Sequence, residues 1–235
     1  KKSESIDGLD KEYRNNTGPL KLSRSPNGNI LTQVYLNAAQ QAGYQINNDM
    51  NGKNQEGFGL MDTTIYKGRR QSTSVTYLHP IIHRSNLKVL TNVTVNKIIF
   101  ENKRATGVEC NINGKSNKFY SNHEILLSAG AINSPHLLML SGIGPENQLK
   151  KHDIEPVECL EGVGENLQDH LETYVQYECK KPVTLYSAQN PIRMALIGIE
   201  WFLFKSGIAA NSNLETGGFI KSNQMVDYPN IQYHF

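Results

Sequence analysis

Ser128, Ala129 and Gly130 join an apolar run, Glu124-Ile125-Leu126-Leu127, to a helix-like pattern. A strand, a turn of small residues and a helix start leave free backbone N–H groups at the positive end of a helix dipole, and such a place can hold an anion. Most strand-to-helix turns bind nothing, so the local pattern leaves a cofactor loop and a structural turn both open. The glycines do not decide between them. Gly142-Ile143-Gly144 and Gly162-Val163-Gly164 are bare GxG triplets, which serve as helix caps and tight turns, and no GxGxxG occurs.

Other reactive residue types form no self-sufficient site. His79 and His83 are four apart, but Pro80 lies between them and no carboxylate is suitably placed; the seven histidines show no metal-ligand spacing. Asp169 and His170 are adjacent, and neighbours on a strand point to opposite faces, so they do not form an orienting pair. The absence of a GxSxG elbow argues against a hydrolase of that type. Glu215 stands between Leu214 and Thr216, ahead of Gly217-Gly218, where a carboxylate is ordinarily solvated. Trp201, Phe202 and Phe204 lie at spacings that suit a helix packed into a core better than a ligand cage.

The elements that would position these residues alternate in type. Residues 1 to about 30 are polar and rich in turn formers and read as a surface segment. Leu31, Val34, Tyr35, Ala38 and Ala42 make one face of a helix, with Gly43 as its C-terminal cap. Asn47 to Gly59 reads as a loop. Strands are predicted at Leu87–Thr91, Val93–Phe100, Ala105–Ile112 and Lys118–Tyr120, with Asn113-Gly114 as a tight hairpin turn. Glu124–Leu127 is expected as a short strand buried on both faces. Asn133 or Ser134 is then a candidate cap and Pro135 a first helical residue, with Gly142 ending the helix. A short helix near Pro145–His152, a strand at Thr173–Tyr177, a helix from Asn190-Pro191 to Gly207 and strands at Gly217–Ile220 and Asn230–Phe235 complete the pattern. On that last helix, Ile192, Ala195, Leu196, Ile199 and Phe202 share one face. The mixture predicts an α/β (α+β mixed) fold.

The bulk numbers exclude several classes. In 235 residues, apolar residues make up 38% and charged residues 20%, as in a globular protein and unlike a disordered one. A net charge of +2 without a basic stripe argues against nucleic acid as a partner. Cys110, Cys159 and Cys179 are widely spaced and odd in number, which does not suggest a disulfide scaffold. No apolar run is long enough to cross a bilayer; the longest, Ile192–Phe204, is broken by Arg193 and Glu200. Asn15-Asn16-Thr17 and Asn92-Val93-Thr94 match the glycosylation pattern at the level expected by chance. The sequence begins at Lys1 and stops within an alternating strand-like run, Asn230–Phe235, which predicts a segment of a longer chain.

Taken whole, Gly130-Ala131-Ile132-Asn133-Ser134-Pro135-His136-Leu137-Leu138-Met139-Leu140-Ser141-Gly142-Ile143-Gly144 resembles the second signature of the glucose–methanol–choline (GMC) flavin oxidoreductases. Gly162 to Glu172, GVGENLQDHLE, resembles another block of that family. Asn54–Pro80, Leu214–Ser222 and Tyr228–Phe235 resemble its choline-oxidising members, and the similarity runs from about Tyr13 to the end. The resemblance implies part of an FAD-binding domain interwoven with an antiparallel-sheet substrate domain. In this division residues 70–165 belong to the former, and residues 1–69 and 166–235 to the latter. It implies FAD as cofactor, choline as substrate and betaine aldehyde as product. The alternatives are a family member for another alcohol and a non-catalytic module. Further implications are a respiratory quinone as electron acceptor, peripheral membrane association and, in a eukaryote, a mitochondrial location. By the same resemblance Val95 faces the adenine ring, Ser128, Ala129 and Gly130 pack beside the adenosine part of FAD, and Glu215 faces the trimethylammonium group. The family's diphosphate loop and catalytic histidine are expected outside these residues, so no catalytic residue is assigned here.

Overall fold

The computed structural model describes residues 2–7, 11–26 and 28–235; Lys1, residues 8–10 and Asn27 lie outside that description. The principal elements in chain order are α1 (Ile30–Gln41), β1 (Gly57–Leu60), β2 (Val93–Glu101), β3 (Arg104–Ile112), β4 (Lys115–Tyr120), α2 (Gly130–Leu140), α3 (Glu146–Lys151), α4 (Pro191–Phe204), β5 (Thr216–Ile220) and β6 (Ile231–His234). They fall into two compact units, Lys1–Leu87 with Gln176–Phe235, and Lys88–Val175. The mixed helix and strand content is that expected from the sequence.

The first unit is built on an antiparallel sheet in the order β6-β5-β1. Gly218 lies opposite both Phe58 and Tyr233. A Cβ at Gly218 would meet the Phe58 ring at 2.5 Å, so only glycine allows the ring to lie over this strand. Helix α1 covers the sheet, and Leu36, Ala39, Phe58 and Ile220 form the core between them. Asn29 caps α1, its Oδ1 accepting from the Leu31 N–H at 2.9 Å, and Gly43 ends it at φ 89°. The buried stripe differs from the predicted one: Thr32, Leu36 and Ala39 point inward, whereas Val34 is 54% exposed and Ala38 is also exposed. A 3.6-residue period admits neighbouring stripes, and the positions of Phe58 and Ile220 decide which one packs.

Tyr35 stacks on Phe235 with centroids 4.5 Å apart and meets Phe58 edge-on at 5.8 Å. Burial, helped by nearby Tyr233, pushes the Tyr35 phenol up from 10.0 to about 12. The folded form thus holds this proton where the unfolded chain has lost it. The resulting stability is full below about pH 10 and lost as pH rises toward about 12. In the full-length protein, Tyr35→Phe is therefore expected to show a shallower loss of denaturant stability across that window than the wild type. An unchanged slope would remove Tyr35 as its source.

The N-terminal segment, expected as a surface segment, also carries a buried ion cluster. Arg14 is only 3% exposed and reaches Glu4 (3.1 Å), Asp49 (2.5 Å) and Asp62 (2.9 Å). Arg24 holds the other oxygen of Asp62 at 3.1 Å. Burial alone would lower the Arg14 pKa, but hydrogen bonds to Glu4, Asp62 and Asp49 outweigh it and raise the value. Two backbone bonds carry the order onward: Ser25 N–H to Met61 C=O and Met61 N–H to Glu215 C=O, each 2.9 Å. Helix α4 begins as predicted, with Asn190 capping the N–H groups of Ile192 and Arg193 and Pro191 as first residue. Its predicted core face is open instead: Ile192 is 74% and Phe202 72% exposed, and Phe204 is exposed as well. Trp201 alone of the aromatic trio is partly covered, its Nε1–H donating to the Gly68 carbonyl at 2.7 Å.

The second unit holds an antiparallel meander in the order β4-β3-β2. Asn113 and Gly114 turn at φ 52° and 80°, as their types predict. The β2–β3 turn uses Asn102 and Lys103 at φ 47° and 65°, and lysine is not a residue type whose own preferences point to such a backbone. Helix α2 packs on β2 through Ser141, which is fully buried: its Oγ accepts from the Ile98 N–H at 2.8 Å and donates to the Leu137 carbonyl at 2.6 Å. Three predicted strands are unpaired among the described residues: Leu87–Thr91, Glu124–Leu127 and Thr173–Tyr177. Leu126 is 83% exposed rather than buried on both faces. Strand-forming side chains do not make a strand without a neighbouring backbone to complete the ladder.

Candidate functional site

Glu215 occupies the turn entering β5, and the Met61 bond fixes its backbone. The side chain is half-buried rather than solvated. Its Oε2 accepts from the Thr32 hydroxyl at 2.7 Å and from the Asn29 N–H at a long 3.5 Å. A carboxylate beside the first turn of α1 also meets the positive end of that helix. Oε1 makes no hydrogen bond among the described residues. The residue helps to wall an open cleft of about 570 Å³, whose apolar lining includes Pro182, Val183, Leu185 and Ile208. Arg193 lines the same cleft, its Nη1 donating to Ser187 Oγ at 2.6 Å. The cleft can thus receive a small molecule with an apolar body and a charged end. Thr32, 2% exposed, went unnoticed in the sequence; a lone hydroxyl on the buried face of an apolar helix is the signal that marks it.

The other candidates lie in the second unit. Val95 is 39% exposed on β2. It pairs with Cys110, and Lys97 pairs with Glu109, so Asn96 is the extra residue of a β-bulge next to Val95. A bulge re-aims the side chains beside it. Ser128, Ala129 and Gly130 form an exposed turn at the start of α2. The predicted cap is displaced: α2 starts at Gly130, not near Asn133, and Pro135 lies inside it. Ser134 serves the turn instead, its Oγ accepting from the Ala129 N–H at 3.1 Å. Proline lacks an N–H to return to the Ala131 carbonyl, a loss the rest of the helix sustains. Gly130 sits at φ 89°, and nothing lies within 4 Å of where its Cβ would be. Small residues with open space before them let a planar group approach the backbone. Asp169 does not orient the His170 ring; its Oδ1 accepts from the His170 backbone N–H at 2.8 Å.

The chain thus combines a meander followed by a small-residue turn with a three-stranded antiparallel sheet and a carboxylate-walled cleft. Residues 3–172 match the GMC oxidoreductase family, and the chain belongs to that family. The mitochondrial choline dehydrogenase of Mus musculus is 52% identical over 224 residues, covering 95% of this chain and 37% of that protein. The oxygen-dependent choline dehydrogenase of Staphylococcus xylosus is 48% identical over 223 residues, covering 95% of this chain and 40% of that protein. Among solved structures, an FAD-dependent oxidoreductase from Chaetomium thermophilum superposes with a TM-score of 0.79 at 25% identity, over 93% of this chain and 41% of that one. The chain therefore spans about two fifths of the length of these relatives.

Proposed function

We propose that the chain is part of an FAD-dependent enzyme that oxidises choline to betaine aldehyde. The observation that carries this reading is Glu215: a half-buried carboxylate held by Thr32 and walling a cleft, in a chain 52% identical to a choline dehydrogenase. A quaternary ammonium cannot donate conventional hydrogen bonds, so a site for it needs an anion or aromatic faces within reach. Glu215 supplies the anion, and the apolar wall of Pro182, Val183, Leu185 and Ile208 suits the methyl groups.

In this reading the unit Lys88–Val175 contributes to the FAD-binding domain, and the unit formed by Lys1–Leu87 and Gln176–Phe235 contributes to the substrate domain. Val95, beside its bulge, faces the adenine ring, and Ser128, Ala129 and Gly130 pack along the adenosine. Bound FAD supplies a hydride acceptor for the alcohol carbon. The residues of this chain orient the substrate cation and hold the cofactor's adenosine end. A respiratory quinone as acceptor, peripheral attachment to a membrane and a mitochondrial location, the location of the mouse relative, complete the proposal.

A second reading, oxidation of a different alcohol, is favoured by Arg193, a cation lining the same cleft. Anaerobic mixing of the full-length flavoprotein with choline separates the two. Bleaching of the flavin absorbance by choline is expected. Bleaching by benzyl alcohol or glucose but not choline would reject the choline reading, and no bleaching by any of them would indicate a non-catalytic member.

A further inference from the structure

We propose that Thr32 is a positioning residue that fixes the Glu215 carboxylate for the substrate cation. The inference rests on the reading of Glu215 as the group that faces the trimethylammonium. Thr32 is 2% exposed in the first turn of α1, on the stripe that continues into the core through Leu36 and Ala39. A buried hydroxyl on such a face is costly unless paired. Threonine in a helix often bonds back to a carbonyl of the preceding turn. Here its only donor goes to Glu215 Oε2, 183 residues away in sequence, at 2.7 Å. The β-branched side chain has few rotamers and α1 is anchored on the sheet, so the donor is a fixed point.

Glu215 needs such a point. Its side chain has three rotatable bonds, and a quaternary cation attracts a carboxylate without preferred direction, so the cation alone does not place it. Coulomb attraction falls with distance, and a few ångströms of drift removes much of it. A competitor is present in the same cleft: Arg193, currently donating to Ser187. A carboxylate released from Thr32 is free to turn to solvent or toward that guanidinium, and an ion pair there would cancel the charge offered to choline. Thr32 holds one oxygen, and Oε1 makes no hydrogen bond among the described residues.

The test compares choline with its neutral isostere 3,3-dimethylbutanol in the full-length flavoprotein. Thr32→Val keeps the shape and removes the donor. It is expected to raise the KM for choline about tenfold, as befits loss of a charge-assisted hydrogen bond. The KM for 3,3-dimethylbutanol and both kcat values should stay within about twofold, since no transition-state contact is touched. Thr32→Ser should restore the wild-type KM. In a Glu215→Gln background, Thr32→Val should add no further discrimination. If Thr32→Val does not fold, Thr32→Ala against Thr32→Ser makes the same comparison. Equal effects on both alcohols, or none on choline, while Glu215→Gln still discriminates, would overturn the role of Thr32 and leave Glu215 standing. If Glu215→Gln itself treats the two alcohols alike, the parent reading of Glu215 fails, and this inference with it.

Discussion

Glu215→Gln in the full-length enzyme is expected to raise the KM for choline by about tenfold to a hundredfold while leaving that for 3,3-dimethylbutanol nearly unchanged. Two unit charges about 4 Å apart attract by about 4 kcal/mol in a medium of effective dielectric constant near 20. Stripping water from both ions returns part of that, so a net loss of about 1.4 to 2.8 kcal/mol is the reasonable range, which is the stated change in affinity. Glutamine keeps the size of the side chain and still accepts from the Thr32 hydroxyl, so the packing at the start of β5 is preserved and the charge alone is removed. Because the neutral isostere lacks only the cation, the ratio of the two KM values isolates the Coulomb term. A parallel rise for both alcohols would show that Glu215 shapes the cleft rather than reading its charge.

Arg14→Met is expected to destabilise the protein by about 3 to 5 kcal/mol, the cost of breaking a buried ion cluster by removing one partner. The guanidinium touches Glu4, Asp49 and Asp62, whose side chains are 16%, 14% and 6% exposed. Asp62 would keep Arg24, but Glu4 and Asp49 would lose their cation. Arg14→Lys should recover only part of the loss, because a single ammonium cannot span three carboxylates as a planar fork does. The measurement is the midpoint of denaturant unfolding followed by circular dichroism. A change within about 0.5 kcal/mol, the range of ordinary surface substitutions, would mean that the cluster contributes specificity and not stability. Asp62 adjoins Met61, which bonds to the Glu215 carbonyl, so the cluster also underlies the candidate cation site.

Local elements were legible wherever a residue type has one dominant conformational use. Asn113-Gly114 forms its turn, Asn190-Pro191 opens α4, and Gly43 closes α1. Legibility failed where the outcome depends on a neighbour. Leu87–Thr91, Glu124–Leu127 and Thr173–Tyr177 have the composition of strands but no pairing partner among the described residues. The stripe on α1 was displaced, because Phe58 and Ile220 choose the face. Pro135 read as a helix start, since that is its commonest helical position, yet a turn fixed by Gly130 starts the helix earlier. Arg14 was invisible: a lone arginine in a polar segment looks solvated until Glu4, Asp49 and Asp62 are folded around it.

The family and the local grammar are written in the order of residues along the chain. The long block from Gly130 to Gly144 and its companions carry the GMC relationship, and turn and cap residues report their own backbone angles, because both are properties of short stretches of chain. How Glu215 is held depends on long-range packing. Asn29 and Thr32 lie more than 180 residues from it in sequence, and no periodicity links such positions. They meet because α1 must cover the sheet that β5 helps to build, and burying that apolar face brings the helix N-terminus to the carboxylate.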